Sequence, residues 1–121
     1  MILIDLKDSR PIYEQVVDKF KMLILKGAIA PDEKLPSVRN LAVDLSINPN
    51  TIQRAYAELE RQGYIYTVKG KGNFAADRDK LIDGYKEEIL KQLREICQLA
   101  ISVGMTEKEI INNIKGGGAY D

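Results

Sequence analysis

Two short helical patterns on either side of a turn constrain the fold of this 121-residue chain more than any other sequence feature. The first begins at Ser37, a residue type that favours the helix N-cap, and carries apolar residues on one face. After a stretch of turn formers, a second pattern begins at Pro49 or Asn50 and continues to Gln62, where Gly63 ends it. The predicted inward positions are Val38, Leu41, Ala42, Leu45, Ile52, Tyr56 and Leu59. The segment therefore predicts a helix, a tight turn and a second helix.

With the elements predicted before and after this segment, the chain has three helices followed by a hairpin. An earlier helical pattern opens at Pro11 and ends at Gly27. Its apolar positions are Ile12, Val16, Phe20, Leu23 and Ile24. A loop with a short extended piece near Leu35 precedes the second pattern. After the third, two short apolar stretches at residues 64–68 and 73–75 enclose a Gly-rich tip, which predicts a β-hairpin. This order is that of a winged helix-turn-helix.

A long amphipathic helix is predicted from Asp79 to about Val103, after a change of composition at residues 76–77. Its apolar stripe consists of Leu81, Tyr85, Ile89, Leu93, Ile96 and Ala100. A second edge, with Ile82, Leu90, Cys97 and Ile101, makes the stripe wider than a lone surface helix needs. Gly104 then breaks the helix, and a capping box from Thr106 to Glu109 starts a short last helix that we expect to fold back over part of the stripe.

The sequence thus predicts a mainly α fold with a small β-hairpin. We expect a winged helix-turn-helix DNA-binding domain over residues 1–76, a helical dimerisation segment over residues 77–115, and a flexible tail over residues 116–121. No apolar run approaches the roughly 20 residues of a membrane span, and the N-terminal residues lack the pattern of a secretory signal. We therefore expect a cytoplasmic protein without membrane association.

Composition argues against an enzyme. The chain has no His and one Cys, which removes Ser-His-Asp and Cys-His catalysis, imidazole metal sites and an intrachain disulfide. The residues indicate neither a metal nor a cofactor, and they mark no pocket for an effector. The 18 basic and 18 acidic residues cancel over the whole chain. Between residues 34 and 72, however, six basic residues outnumber three acidic ones, which predicts a locally basic face.

Polar residues at the start of the third helix are suited to reading DNA. In a helix-turn-helix the second helix of the pair lies in the major groove, with its first residues near base edges. Amides pair with adenine, hydroxyls with bases or phosphate, and Arg with guanine or phosphate. The candidates are Asn48, Asn50, Thr51, Gln53 and Arg54. The alternative interpretation of Asn48 and Asn50 is that they only cap the helix.

The hairpin tip offers a second candidate contact with DNA. Lys69 and Lys71 alternate with Gly70 and Gly72, so the backbone can approach a phosphate chain or enter a minor groove between two cations. The alternative is an ordinary Gly-rich turn with two solvated lysines. Nearby aromatic residues, Tyr64 and Tyr66 among them, are expected to pack or to brace the wing rather than to stack on bases.

Several motifs in the same order closely resemble the GntR family of bacterial transcription regulators. They are PIYEQ at residues 11–15, LPSVRNLA at 35–42, NPNTIQRAY at 48–56, ELERQG at 58–63 and GKG at 70–72. The resemblance covers roughly residues 10–75, and the short helical C-terminal segment is similar to the YtrA-type subfamily. It implies DNA contacts at Arg39, Asn48, Asn50, Thr51, Gln53 and Arg54, with Lys69 and Gly70 at the wing. Many members carry further basic residues in the turn, where this chain is neutral, so their base preference does not transfer.

Two functions follow from these residues. The first is a sequence-specific transcriptional regulator, a repressor, that binds double-stranded DNA at a palindromic operator. It would act as a homodimer through the two C-terminal helices, with the stripe from Leu81 to Ile101 as the pairing surface, because pairing doubles the base contacts at fixed spacing. The alternative is a winged-helix protein-interaction module without specific DNA binding. The basic wing and the polar third helix favour the regulator.

Overall fold

The computed structural model describes residues 4–116 and confirms the predicted fold class. The elements are α1 (Ile12–Leu25), α2 (Val38–Leu45), α3 (Pro49–Arg61), β1 (Ile65–Val68), β2 (Gly72–Ala75), α4 (Arg78–Ser102) and α5 (Glu107–Lys115). Residues 117–121, which make up the predicted tail beyond Gly116, lie outside the described residues, as do the first three residues of the chain.

The chain divides into two compact units between Ile82 and Asp83. The first contains α1 to α3, the hairpin and the start of α4; the second contains the rest of α4 and α5. The predicted domain boundary between residues 76 and 77 lies just before α4. The assignment of one part to DNA binding and of the other to dimerisation stays a prediction.

The core of the first unit forms where α1 and α2 pack on α3. Helix α1 buries Val16, Phe20 and Ile24 as predicted, but it also buries Val17 and Leu25. Ile12 and Leu23 are only half-buried. The buried face of α1 is therefore rotated relative to the simple periodic pattern. The buried residues contributed by α2 and α3 are Leu41, Ala42, Ile52, Ala55, Tyr56 and Leu59.

Tyr56 links α3 to α1 and to the loop before α2. Its ring meets Phe20 edge-on, with 5.7 Å between the ring centroids. Its hydroxyl donates a hydrogen bond of 2.8 Å to the carbonyl of Pro36. This bond satisfies the one polar atom of a side chain that is otherwise buried, as a stable core requires. Burial raises the pKa of the Tyr56 hydroxyl well above its usual range.

Local capping sets the turn between α2 and α3. The Ser37 hydroxyl accepts a 3.1 Å hydrogen bond from the Asn40 N–H and so begins α2. Ser46 ends α2 in the left-handed conformation, with φ at 54°. The Asn48 side-chain oxygen then accepts a 2.8 Å bond from the Asn50 N–H, and Pro49 occupies the first helical position of α3, where no N–H is needed.

The hairpin is anchored to the loop that precedes α2. Strands β1 and β2 are antiparallel, with Ile65 opposite Ala75 and Val68 opposite Gly72. The loop adds backbone bonds along β2: the Leu35 N–H donates to the Asn73 carbonyl at 2.8 Å. This confirms the short extended piece predicted near Leu35. On the outer face the Tyr66 ring stacks on Phe74, and its hydroxyl donates to Asp32 at 2.6 Å. The predicted bracing role of Tyr66 is therefore confirmed.

The second unit has no core of its own. The capping box that starts α5 is present: Thr106 accepts a bond from the Glu109 N–H at 3.1 Å. However, none of the residues of α4 and α5 is buried. Most of the apolar stripe stays open in the single chain, since Ile89, Leu93 and Ile96 remain 45–60% exposed. The expectation that α5 folds back over part of the stripe stays a prediction. None of the helices within residues 4–116 is long and apolar enough to cross a membrane.

Candidate nucleic-acid interface

The first two turns of α3 present polar side chains outward. Asn48, Asn50, Gln53 and Arg54 are exposed, and Thr51 is half-buried. They share this exposure because α3 turns its opposite face to the core. The Asn48 side chain caps α3 by accepting a bond from the Asn50 N–H. That bond uses only the oxygen of the Asn48 amide, so its NH₂ group can still donate to a ligand.

Arg54 contacts α1 through Tyr13. The central carbon of its guanidinium lies 3.8 Å from the centroid of the Tyr13 ring. The two residues border a groove between the N-terminal turns of α1 and α3, which is lined by Pro11, Ile12, Tyr13, Asn50, Thr51 and Arg54. Tyr13 was not predicted as a site residue from the sequence. Its place in the PIYEQ motif was the only available signal, because the contact joins residues far apart in the chain.

A charged cluster occupies the C-terminal end of α3. The Arg61 Nε–H donates to Glu58 at 2.8 Å, and Gln62 donates to the same carboxylate. These bonds from Arg61 and Gln62 lower the pKa of Glu58 to about 2. The cluster neutralises Arg61, which was counted in the basic excess of this segment but was not predicted to contact DNA.

Arg39 lies on α2 and is exposed. Among residues 4–116 it forms neither an ion pair nor a side-chain hydrogen bond, so its charge faces solvent. Arg39 and Arg54 thus carry charges that no carboxylate of the described chain neutralises.

The tip of the hairpin is a cluster of cations on a tight turn. Lys69, Gly70 and Lys71 are exposed, and the Lys71 N–H closes the turn by donating to the Val68 carbonyl at 2.9 Å. Gly70 and Gly72 both have positive φ, at 77° and 122°. In the part of the chain that the structure describes, neither lysine pairs with a carboxylate.

Lys34 adds a third cation to this wing. Its backbone pairs with Phe74 in an isolated bridge. Its side chain passes so close to Gly72 that a Cβ built there would lie 3.0 Å from the Lys34 Cε. Lys34 contributes to the basic excess of the segment, but it was not predicted as a site residue. Its position depends on pairing between the loop and β2, which periodicity along the chain does not reveal.

The predicted dimerisation residues lie along α4. Ile89, Leu93 and Ile96 are exposed, whereas Leu81, Tyr85 and Ala100 are half-buried. Further exposed apolar residues of the same segment are Leu90, Leu99, Ile101 and Val103. The apolar surface of α4 is therefore wider than the six predicted positions. Within residues 4–116, no group of three or more Cys, Asp or Glu side chains is arranged to hold a metal ion.

Known proteins share this sequence pattern and this fold. The family described as "Bacterial regulatory proteins, gntR family" matches residues 12–74. The HTH-type transcriptional repressor YtrA of Bacillus subtilis (strain 168) is 42% identical, over 100% of both chains. A solved GntR family transcriptional regulator from Listeria monocytogenes is 40% identical, with a TM-score of 0.76 over 91% of this chain and 97% of that chain. The structure of AraR(DBD) in complex with operator ORE1 is 32% identical, with a TM-score of 0.54 over 63% of this chain and 93% of that chain.

Proposed function

Because this chain belongs to the gntR family of bacterial regulatory proteins, we propose that it represses transcription by binding a palindromic DNA operator as a homodimer. The chain is a DNA-binding transcriptional regulator and not an enzyme, like the repressor that shares its sequence over its full length. The alternative of an interaction module without specific DNA binding is not favoured, because the similar AraR domain binds operator DNA.

The exposed polar start of α3 is the observation that carries the proposal. The helix packs against α1 and α2 through its apolar face, so Asn50 and Gln53 point away from the core. When such a helix enters the major groove, amide side chains pair with adenine N6 and N7. Each such pair discriminates against a wrong base by about 1–3 kcal/mol. We assign sequence reading to Asn48, Asn50, Thr51 and Gln53.

The cations around α3 supply the contacts that do not depend on sequence. Arg39 lies on α2, the helix that crosses the DNA backbone in this architecture. Lys69 and Lys71, with Gly70 between them, form the tip of the wing in the same compact unit. Such cations bind phosphate oxygens and fix the register of the protein on the duplex. Affinity would therefore fall as salt concentration rises.

Dimerisation through α4 is supported by its exposed apolar face. A face with Ile89, Leu93 and Ile96 open to water is an aggregation hazard on a small protein. A second copy related by a two-fold axis would bury it. The same symmetry would present two recognition helices to a palindrome, one for each half-site. We place this activity in the cytoplasm, where bacterial DNA lies, and we assign it no cofactor and no particular effector.

Selection of bound duplexes from a random DNA pool tests the proposal. We expect enrichment of a palindrome whose half-sites are one helical turn, or a multiple of it, apart. Gln53→Ala is expected to relax the preference at one position in each half-site. Gln98→Ala, a matched amide deletion on the side of α4 opposite Ile89, should select the same palindrome as the parent. The proposal fails if the folded parent enriches no sequence, or if it enriches a single half-site as a monomer.

A further inference from the structure

We propose that Tyr13 is a positioning residue whose ring holds the Arg54 guanidinium in place to bind a backbone phosphate of duplex DNA rather than a base edge. The inference rests on the proposed function and assigns a specific role to two residues of the same interface.

The contact between the two side chains leaves Arg54 able to bind an anion. The guanidinium carbon lies 3.8 Å from the Tyr13 ring centroid, within the roughly 6 Å over which a cation is attracted to an aromatic face. This contact occupies one face of the planar guanidinium. The N–H donors point outward in its plane, and they match the oxygens of a phosphate in a bidentate arrangement.

The charge of Arg54 is not neutralised by its nearest candidate partner. Glu58 follows Arg54 at the i+4 spacing, where an ion pair between helix side chains is common. Here Glu58 accepts hydrogen bonds from Arg61 and Gln62 instead. Arg54 forms no ion pair with any residue from 4 to 116. An exposed cation held against a ring, beside an engaged carboxylate, is available to DNA.

The side of α3 from which Arg54 projects favours a phosphate over a base. Asn50, Arg54 and Glu58 form one row at spacings of four residues, and Tyr13 borders the grooves on that side of the helix. The row therefore faces α1. Gln53 projects about 100° away around the helix axis and lines neither groove. Asn50 and Thr51 lie in the first turn of α3, where a recognition helix approaches base edges, and they keep that assignment. Arg54 lies one turn further from the N-terminus, beside α1, at the flank where we expect the DNA backbone to pass, while Gln53 is placed for base edges.

Stacking also reduces the entropic cost of binding. An arginine side chain loses rotamer freedom when it is fixed on a ligand, and a contact that already restricts it lowers that loss. Tyr13 is itself held in the first turn of α1, close in sequence to Val16 and Val17, which are buried in the core. The ring is therefore mounted on a rigid element, and it can restrict Arg54 before DNA arrives.

The first test measures binding of Arg54→Ala as a function of NaCl on two duplexes: one that the parent selects from a random pool, and one of scrambled sequence. We expect both duplexes to weaken by the same factor, about tenfold or more, and the salt slope to fall by about 0.9. Lys108→Ala removes the same charge from α5, in the second unit, and it should leave affinity and slope unchanged. A weakening confined to the selected duplex, with relaxed preference at one base pair, would overturn the phosphate assignment.

The second test is a double-mutant cycle. Tyr13→Leu should weaken binding roughly two- to fivefold in the parent, but it should have no effect in the Arg54→Ala background, because no guanidinium remains to be positioned. Tyr13→Phe keeps the ring and should restore parental affinity. Arg54→Lys keeps the charge but not the planar group, so affinity should fall while the salt slope is retained.

The outcomes separate this inference from the proposed function. Equal weakening by Tyr13→Leu in both backgrounds would show a purely structural role and would overturn the positioning role alone. A parent protein that is folded by circular dichroism but binds neither duplex would overturn the proposed function and the inference together.

Discussion

Gly72 in the wing has an unusual backbone conformation and lies beside the charged side chain of Lys34. It has φ at 122°, a conformation that side chains with a Cβ rarely adopt. The Lys34 side chain crosses beside it at the distance where a Cβ would have to displace it. Gly72 therefore both begins β2 in a conformation that favours glycine and leaves room beside it for the Lys34 side chain.

Replacing Gly72 by Ala is expected to lower the free energy of unfolding by about 1–3 kcal/mol, because the residue would be held in a strained backbone conformation. Lys34 can swing aside, so the clash itself contributes little, but its ammonium group would move away from the wing. Denaturant titration measures the destabilisation. Gly84→Ala is the matched control: Gly84 lies within α4 with open space around it, so the same substitution should stabilise by about 0.5–1 kcal/mol. Similar effects of both substitutions would contradict a strained backbone at position 72.

Glu58 makes stability depend on pH in a defined direction. Its pKa is lowered to about 2 by the bonds from Arg61 and Gln62, so the folded state binds this proton less readily than the unfolded state. The stabilisation is present above the ordinary pKa of Glu and is lost as the pH falls toward about 2. The difference in unfolding free energy between the parent and Glu58→Gln should therefore shrink from pH 7 to about pH 2.5. Glu60→Gln serves as the control, because the Glu60 side chain forms no bond with the described residues. A difference between parent and Glu58→Gln that is constant with pH would exclude this role of Glu58.

Among the elements, those specified by local chemistry were predicted closely. Three helix N-termini were predicted from local sequence, at Ser37, Asn48 and Thr106. Each of these side chains bonds a backbone N–H group within three residues, so the signal lies in the adjacent sequence. The hairpin follows from two apolar stretches around a Gly-rich tip. The candidate DNA residues of α3 were placed on an exposed surface for the same reason, since the apolar period of that helix is regular.

Features that depend on contacts between distant residues were missed or wrong. The stack of Tyr13 on Arg54 and the place of Lys34 beside Gly72 each join separate elements, and no spacing along the chain encodes them. The rotated buried face of α1 depends likewise on how α1 packs against α3. The apolar residues Ile110, Ile111 and Ile114 indicate that α5 needs a partner, but not which partner it has, so its fold-back stays a prediction.

The wing is the element whose contribution to binding should be mainly electrostatic. Replacing Lys69 and Lys71 by Ala should lower affinity and flatten the dependence on salt by roughly 0.9 slope units for each phosphate that the wing no longer binds. Replacing Lys108 and Lys115, on α5, removes the same total charge from the second unit and should leave the slope unchanged. Binding measured over a range of NaCl concentrations tests this. Identical slopes for the wing variant and the parent would place the wing away from DNA.

At the scale of the whole molecule, the two units differ in what holds them together. The first buries a continuous apolar core around Phe20, Tyr56 and Leu59. The second leaves every residue of α4 and α5 at least partly exposed. A helix pair without buried residues gains little from burial to offset the entropy of ordering the chain. The proposed dimer would supply the burial that this unit lacks as a single chain.

Leu93→Asp tests this dependence. A charge placed without a partner in an apolar seam is strongly destabilising, so sedimentation should show a monomer. DNA affinity should fall toward the non-specific level while the first unit stays folded. Gln98→Asp adds the same charge to an exposed polar position of α4 and should remain a dimer. A parent that sediments as a monomer and still binds its palindrome tightly would refute the arrangement.

The proposed pairing through the exposed apolar face of α4 would also tie regulation to the abundance of the protein. If only paired chains bind the operator tightly, the concentration of the active form rises with the square of the free subunit concentration, by mass action. Halving the supply of subunits would then reduce the active form about fourfold where most subunits are unpaired. Growth or division that dilutes the chain would release its promoter more sharply than the fall in protein level alone suggests.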